Sequence, residues 1–375
     1  MIPYSAGLDA INAAVWNERD EDKQLVAAKC RGLLWGYHKR WLDDTYTALG
    51  VEQVLESPLV NPDTGRSSRT FTLAGKLDVI AERDGKRILI DHKTTSEDIG
   101  DPNAAYWRQL AIEGQVNQYM ILDAMTNGSR FDHAVWDVVK KPGIRPKKLS
   151  KADRAAIVET GMYCGFEVST VDRNYVQQVE NENPGLYTLR LAADCTERGE
   201  WYFQRVVVPR LDSELLEYAR ELWGHSQEIL AARQSERYPR NSGACMMYGS
   251  ACEYLGICSG HDTPDSDRWQ KVESVHAELD GVGGSALTNS RVRCFQTCRR
   301  KHLYRYEIGI RRQHEEDREA LYFGTLWHTA LEAYWKCFLV KDQSHDDTDT
   351  DDAGSGATDQ AELAGGDSNE SRRAA

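Results

Sequence analysis

Apolar residues recur every three or four positions through residues 6–48, and this spacing predicts helices. At Val51 the pattern changes to short β-rich runs. Three strands are predicted over 51–60, 68–85 and 86–94, with a short turn joining the last two. Helical periodicity returns over 104–127, so the first third of the chain is expected to place strands between helices.

The rest of the chain continues to mix the two kinds of element. A strand is predicted to end before Pro142, and residues 187–194 and 201–210 are predicted to be rich in strand. Strong helical patterns cover 211–233 and 320–339. Strands surrounded by helices, without regular alternation, favour an α/β fold with a mixed central sheet flanked by helices.

Composition narrows the class of protein. The 375 residues suffice for one large domain or two ordinary ones, with a sizeable core. No apolar run reaches membrane-spanning length and the N-terminus has no secretory leader, so we expect a cytoplasmic protein without a membrane span. The formal net charge is -13, but residues 341–375 hold ten acids and three bases, a net of -7. That stretch is predicted to be a disordered acidic tail, so the charge elsewhere does not exclude a phosphate ligand.

Acidic residues lie in two of the predicted strands. Asp78 lies in the second strand, and Asp91 ends the third, two residues before Lys93. Because side chains alternate along a strand, Asp91 and Lys93 share a face and His92 points to the other. If the strands are neighbours, the two carboxylates repel each other unless a cation such as Mg²⁺ or Mn²⁺ lies between them. The alternative is a structural Asp–Lys pair at a strand end.

Three segments, GKLDVI, ILIDHKTTS and GQVNQYM, together resemble the PD-(D/E)XK nuclease superfamily in its RecB-like exonuclease branch. The matching residues are Gly75, Asp78, Asp91, Lys93, Gln115 and Tyr119. The resemblance implies a restriction-endonuclease-like core in which both Asp carboxylates hold Mg²⁺ or Mn²⁺. It also implies that the carbonyl of His92 adds a metal ligand and that Lys93 positions water. Gln115 and Tyr119, one helical turn apart, would support the substrate and the site.

A histidine motif extends the resemblance. Residues 323–332 read FGTLWHTALE, close to the branch's Phe-Gly-Thr-x-x-His-x-x-Leu-Glu pattern. The resemblance makes His328 a metal ligand, although a lone histidine on an apolar helix is usually a core residue. Glu332, one turn later, is expected either to orient the ring or to lie on the solvated face.

Clustered cysteines suggest a second metal site. Cys245, Cys252 and Cys258 resemble the three C-terminal ligands of branch members that hold an iron–sulfur cluster, and Cys298, followed by Arg-Arg-Lys, resembles their lone partner. Four thiolates satisfy a [4Fe–4S] cluster. A zinc site with four sulfurs and buried thiols without metal are the alternatives. Cys294, one turn from Cys298, competes for the fourth position.

The order of these motifs departs from the family pattern, in which the Cys-x-x-Lys segment and the histidine helix precede the catalytic strands. We therefore expect a circular permutant: 1–260 as nuclease core and cysteine loop, 261–285 as linker, and 286–340 as the displaced opening segment. Permutation is tolerated where the new termini lie in exposed segments. The competing account joins a truncated nuclease to the opening of another, so that 286–340 pairs with a neighbouring chain or stays idle.

The function expected from these residues is metal-dependent hydrolysis of DNA. The resemblance implies an exonuclease acting at single-stranded ends, of bacteriophage or prophage type, in recombination or DNA processing. Basic patches at 140–148 and 299–312 are candidates for phosphate contacts, with solvated surface as the alternative. A catalytically idle nucleic-acid-binding or scaffold module is the alternative function. A recombinase or helicase is a possible partner class, and the oligomeric state is not predicted.

Overall fold

The β-rich sequence between residues 47 and 95 forms the three longest strands of the protein. The computed structural model describes residues 2–247, 250–283, 285–313 and 319–340. The strands of the described residues are β1 Thr47–Val60, β2 Ser67–Arg83, β3 Lys86–Thr95, β4 His133–Lys140, β5 Met162–Tyr163, β6 Phe166–Glu167, β7 Phe203–Val208, β8 Met246–Met247, β9 Ser250–Ala251, β10 Trp269–Lys271, β11 Ser285–Leu287 and β12 Ile310–Arg312.

Helices surround these strands. They are α1 Pro3–Ala14, α2 Glu21–Arg40, α3 Ala105–Ala111, α4 Gly114–Asn127, α5 Lys151–Thr160, α6 Thr170–Gln178, α7 Pro184–Glu197, α8 Gly199–Tyr202, α9 Asp212–Ser235, α10 Leu255–Ser259, α11 Asn289–Thr297, α12 Arg299–His302 and α13 Glu319–Lys336. None of the described helices combines the length and the apolar character that crossing a membrane requires.

Six strands form one mixed sheet. Its order is β1-β2-β3-β4-β7, with β11 also paired to β2. β3 and β4 are parallel, and the helices α3 and α4 between them make the crossover that a parallel pair needs. β11 is also parallel to β2, and the other pairs of this sheet are antiparallel. The predicted mixed sheet is confirmed.

Two apolar cores lie on the two faces of the sheet. Alternate residues of β3 separate them: Ile88 and Ile90 belong to one core, and Leu89 to the other. The first core joins the sheet to α1, α2, α7 and α13. The second joins it to α4, α9 and α11. The predicted arrangement of a central sheet flanked by helices is therefore confirmed.

The prediction of strand over 187–194 was wrong, because these residues form most of α7. The helix begins at Pro184, where the missing N–H costs nothing, and the Asn183 side chain accepts a hydrogen bond from the amide of Leu186 at 2.9 Å. Leu191 packs on α2, where the close approach of the two helices depends on Gly32. The strand predicted within 201–210 is present as β7.

The segment predicted as a linker contains short structured elements. β10 pairs with β12, and the Trp269 ring stacks on Tyr254 at a centroid distance of 5.2 Å. After this segment the chain returns to the main sheet through β11, and α13 packs against α1 and α2. The predicted acidic tail, 341–375, lies outside the described residues. The division into domains stays a prediction.

Candidate functional site

The candidate site begins where β2 and β3 stop pairing. Their register matches Val79 with Ile90, so the next step along each strand brings Asp78 beside Asp91. One Asp78 oxygen accepts a hydrogen bond from the backbone N–H of His92 at 2.7 Å. Removal from water and then the nearby charge of Asp91 raise the pKa of Asp78 to about 7. The two carboxylates therefore lie side by side, as the sequence predicted.

Two further side chains reach Asp78. Ligand atoms of Glu52, Asp78 and His328 all lie within 4.8 Å of one another. On β1, Val51 pairs with Val79 of β2 and Gln53 pairs with Leu77. Glu52 lies between them and is therefore opposite Asp78. Its φ of 53° is unusual for a residue other than glycine and marks an irregularity in the strand. Glu52 was not predicted, because a glutamate in VEQV is typical of an ordinary solvent-facing strand residue.

His328 comes from the far end of the chain. Buried Trp327 and Leu331 anchor α13 against the sheet and leave His328 on the face toward Asp78. Burial lowers the pKa of its imidazole, which keeps a nitrogen lone pair free to bind a metal. Glu332 accepts a hydrogen bond from Lys336 at 2.6 Å, which favours the solvated-face alternative for this residue.

A hydrogen-bonded chain holds Lys93 at the site. Its ammonium contacts the Asp91 carboxylate and donates to the side-chain oxygen of Gln115 at 2.9 Å. Gln115 donates to the Tyr119 hydroxyl at 3.0 Å, and Tyr119 donates to the backbone carbonyl of Lys76 at 2.9 Å. The structure therefore brings the predicted Asp91, Lys93, Gln115 and Tyr119 together.

Gly75 explains part of the glycine–aspartate motif. A Cβ atom at this position would lie 2.6 Å from the Tyr119 ring, closer than real contacts allow. The glycine therefore lets α4 carry Tyr119 against β2, three residues before Asp78.

The His92 side chain lies on the opposite face from Asp91, as predicted. Its Nδ1 is 3.0 Å from a carboxylate oxygen of buried Asp137. Tyr37 donates a hydrogen bond to the same carboxylate at 2.5 Å, and Arg205 forms an ion pair with it. Although burial raises the pKa of Asp137, the Arg205 charge and these hydrogen bonds hold it well below its usual range. This network was not predicted, since the apolar run AVWDVV does not indicate partners for Asp137.

The predicted cysteine ligands lie in one lobe, which we define as residues 245–258 with 294–312. The backbone N–H of Cys252 donates to the carbonyl of Cys245 at 2.8 Å, and Cys252 and Cys258 pack against the same buried cluster. Burial raises the pKa of the Cys258 thiol, and Cys252, Cys298 and Cys245 raise it further. Cys294 is more deeply placed: burial raises its pKa to about 11. In the described part of the chain, no three cysteine sulfurs lie within 4.8 Å of one another.

Comparison with known proteins gives one family. A family model described as the PD-(D/E)XK nuclease superfamily matches residues 5–259 and 286–372. The unmatched interval between the two segments nearly coincides with the predicted linker, and every residue of the carboxylate site lies inside a matched segment. No curated protein matches the chain.

Proposed function

The chain belongs to the PD-(D/E)XK nuclease superfamily, and on this premise we propose that it is a metal-dependent DNA exonuclease acting at single-stranded ends. Membership of the superfamily was predicted from the motifs and is confirmed. The RecB-like branch, the bacteriophage or prophage origin, and a role in recombination or DNA processing with a helicase or recombinase are part of the proposal.

The observation that carries the proposal is the group of Glu52, Asp78 and His328 beside the buried Asp91. The carboxylates of this group fit a divalent cation such as Mg²⁺ or Mn²⁺, because carboxylate oxygens are ligands that suit both ions. Without a cation, burial and then the charge of Asp91 raise the pKa of Asp78. A cation bound here supplies positive charge for phosphate oxygens and acidifies water.

The proposed roles follow from the contacts. Asp78, Asp91, Glu52 and His328 hold the cation, with the carbonyl of His92 as a further ligand. Lys93 is restrained by Asp91 and Gln115, so its ammonium is fixed where it can orient water and a phosphate. Tyr119 limits the motion of Gln115.

We propose that the chain is a circular permutant whose segment 286–340 completes its own site. The support is that β11 and α13 both pack on the sheet of the same chain and that His328 lies near Asp78. Activity per molecule that does not change with protein concentration, measured in monomeric fractions, would agree with this proposal. Loss of activity on dilution would support the exchange of segments between chains instead.

For the cysteine lobe we propose a [4Fe–4S] cluster held by Cys245, Cys252, Cys258 and Cys298. The support is the number of clustered thiols, since four thiolates satisfy such a cluster. A brown protein with absorbance near about 400 nm is expected. A colourless protein that contains zinc would favour the alternative.

The deciding experiment incubates the purified full chain with Mn²⁺ and labelled single-stranded DNA. Wild type should degrade the strand, and His328→Ala should lose at least about 100-fold in rate, because one metal ligand is missing. The matched control, His261→Ala, changes an exposed histidine and should retain full activity. Binding without degradation by wild type would support the idle DNA-binding module.

A further inference from the structure

A groove of about 500 Å³ opens beyond the last residues of β3 and β4. We call it the Trp201 groove. The residues of its lining that matter here are Lys29, Lys140, Lys141, Arg198, Trp201 and Glu319. Lys29 is paired with Glu319 and Arg198 with Asp194, while Lys141 donates to a backbone carbonyl, that of Ala320, at 3.1 Å. Lys140 and Lys141 are therefore the cations of this lining that suit a polyanion.

The groove differs from the other basic patch of the protein. In the patch at 299–312, Arg299 is paired with Glu228 at 3.0 Å, and Arg300 donates to a backbone carbonyl at 2.7 Å. These two side chains already have partners within the protein. Lys140, by contrast, has its nearest carboxylate at 3.7 Å, from the half-exposed Asp98. Within 140–148, Lys148 is paired with Glu180, so Lys140 and Lys141 are the candidates for phosphate contact.

Trp201 gives this groove an aromatic surface. Its side chain is 43% exposed, which is high for so large an apolar residue. The Lys140 ammonium lies over the ring, 3.4 Å from its centroid, so it covers part of one ring face and borders the exposed remainder of the ring. Proteins that bind single strands combine these two features: cations follow the phosphates, and bases stack on aromatic rings.

Two elements, β3 and α13, lead from the carboxylate site to the groove. Ser96 lines the groove and is three residues beyond Lys93, a distance of about 10 Å along a strand. Phe323 also lines it and is five residues before His328, about 7.5 Å along α13. The longer separation corresponds to about three stacked nucleotides at about 3.4 Å each.

We propose that the Trp201 groove binds single-stranded DNA about three nucleotides from the hydrolysed bond, with a base stacked on Trp201 and phosphates on Lys140 and Lys141. This inference rests on the proposed nuclease function and specifies its substrate. A duplex keeps its bases stacked on one another and offers no free base face. The groove therefore selects single strands.

The test measures binding of a fluorescent oligonucleotide to the full chain without added divalent cation. Base stacking on an aromatic residue is worth about 1–3 kcal/mol, so Trp201→Ala should weaken single-strand binding by about 5- to 150-fold. Trp201→Phe should recover much of the loss. Trp16→Ala, which removes an 82% exposed tryptophan, is the matched control and should bind as wild type does. Duplex binding should change little in any of these variants.

A second measurement uses wild type alone, so it does not depend on the folding of a variant. Wild type should bind an oligonucleotide of abasic sites more weakly than a normal one. Equal wild-type affinity for both oligonucleotides, or equal losses on single and double strands, would overturn the inference. If wild type with Mn²⁺ degrades DNA but these binding differences are missing, the proposal for the Trp201 groove fails and the proposed nuclease function is retained. If the differences appear without degradation, the nuclease proposal fails instead.

Discussion

The carboxylate site and the cysteine lobe are supported by elements of very different size. The carboxylates lie on β2 and β3, which have 17 and 10 residues and pair along a common sheet. The thiols lie on or beside β8 and β9, which have two residues each, and α10, which has five. The apolar residues packed at the lobe are few: Tyr254, Trp269, Tyr304 and Ile310 form its buried cluster.

This contrast determines what holds each set of ligands in place. Asp91 is 1% exposed and is fixed by a sheet with helices on both faces, so the carboxylates are gathered by the fold itself. Short elements with a small core contribute little burial free energy. We therefore expect the lobe to take its fold from the metal group that its thiols bind.

The largest expected effect is the unfolding of the cysteine lobe when one of its proposed ligands is replaced. Metal binding contributes on the order of 10 kcal/mol to the folding of small metal-held domains. Cys258→Ser should therefore lose the absorbance and expose residues 245–258 to hydrogen exchange and proteolysis, while the sheet stays protected. Cys337→Ser changes an exposed cysteine of the sheet region and should do neither. Retained protection of the lobe in Cys258→Ser would contradict the expectation.

The same measurement distinguishes the two candidates for the fourth ligand, Cys298 and Cys294. Cys298→Ser should behave as Cys258→Ser does, whereas Cys294→Ser should keep the absorbance. The reason is that Cys298, followed by Arg-Arg-Lys, matches the lone cysteine ligand of the resembled branch and Cys294 does not. Loss of absorbance in Cys294→Ser alone would reverse the assignment.

The second prediction concerns the carboxylate site. Asp91→Asn should lower the hydrolysis rate by at least about 10³-fold, equivalent to about 4 kcal/mol in the activation free energy. The thermal midpoint should fall little, because the surrounding apolar core is unchanged. Asp63→Asn, in an exposed ion pair with Arg220, is the control and should keep full activity. A large loss of stability in Asp91→Asn would show that the carboxylate is mainly structural.

The comparison also shows what could be predicted from sequence. Alternation along β3 placed Asp91 and Lys93 on one face and His92 on the other, because strand periodicity is a local property. Glu52 was missed, since its role depends on a local irregularity of β1 and on His328 of a distant helix. The helix α7 was missed because its apolar residues, read alone, also suit a buried strand; its N-terminal Asn183-Pro184 was the signal that could have decided.

The third prediction tests the contact between α4 and β2. Gly75→Ala would place a methyl group 2.6 Å from the Tyr119 ring, and the necessary shift should cost about 1–3 kcal/mol of stability. Activity should also fall, because Tyr119 holds Gln115 and Gln115 holds Lys93. Gly224→Ala is the matched control: it lies inside α9 with no atom within 4 Å of the new Cβ, and should stabilise by about 1 kcal/mol. Urea unfolding of both variants measures the difference.

The smallest expected effect is a pH dependence confined to the lobe. Burial, and then the charge of Arg291, lower the pKa of His302 to about 3, although Glu307 opposes this and Arg233 adds to it. The folded state then binds fewer protons than the unfolded state, so stability falls as pH drops below the ordinary histidine value of about 6.5. From about pH 7 to about pH 5 the loss is about 2 kcal/mol. His302→Gln should lack this part of the acid sensitivity, and His261→Gln, at an exposed position, should keep it. Because other groups titrate equally in both variants, the change with pH in the difference between their urea midpoints reports the contribution of His302 alone. If that difference is the same at both pH values, His302 is not buried as a neutral ring.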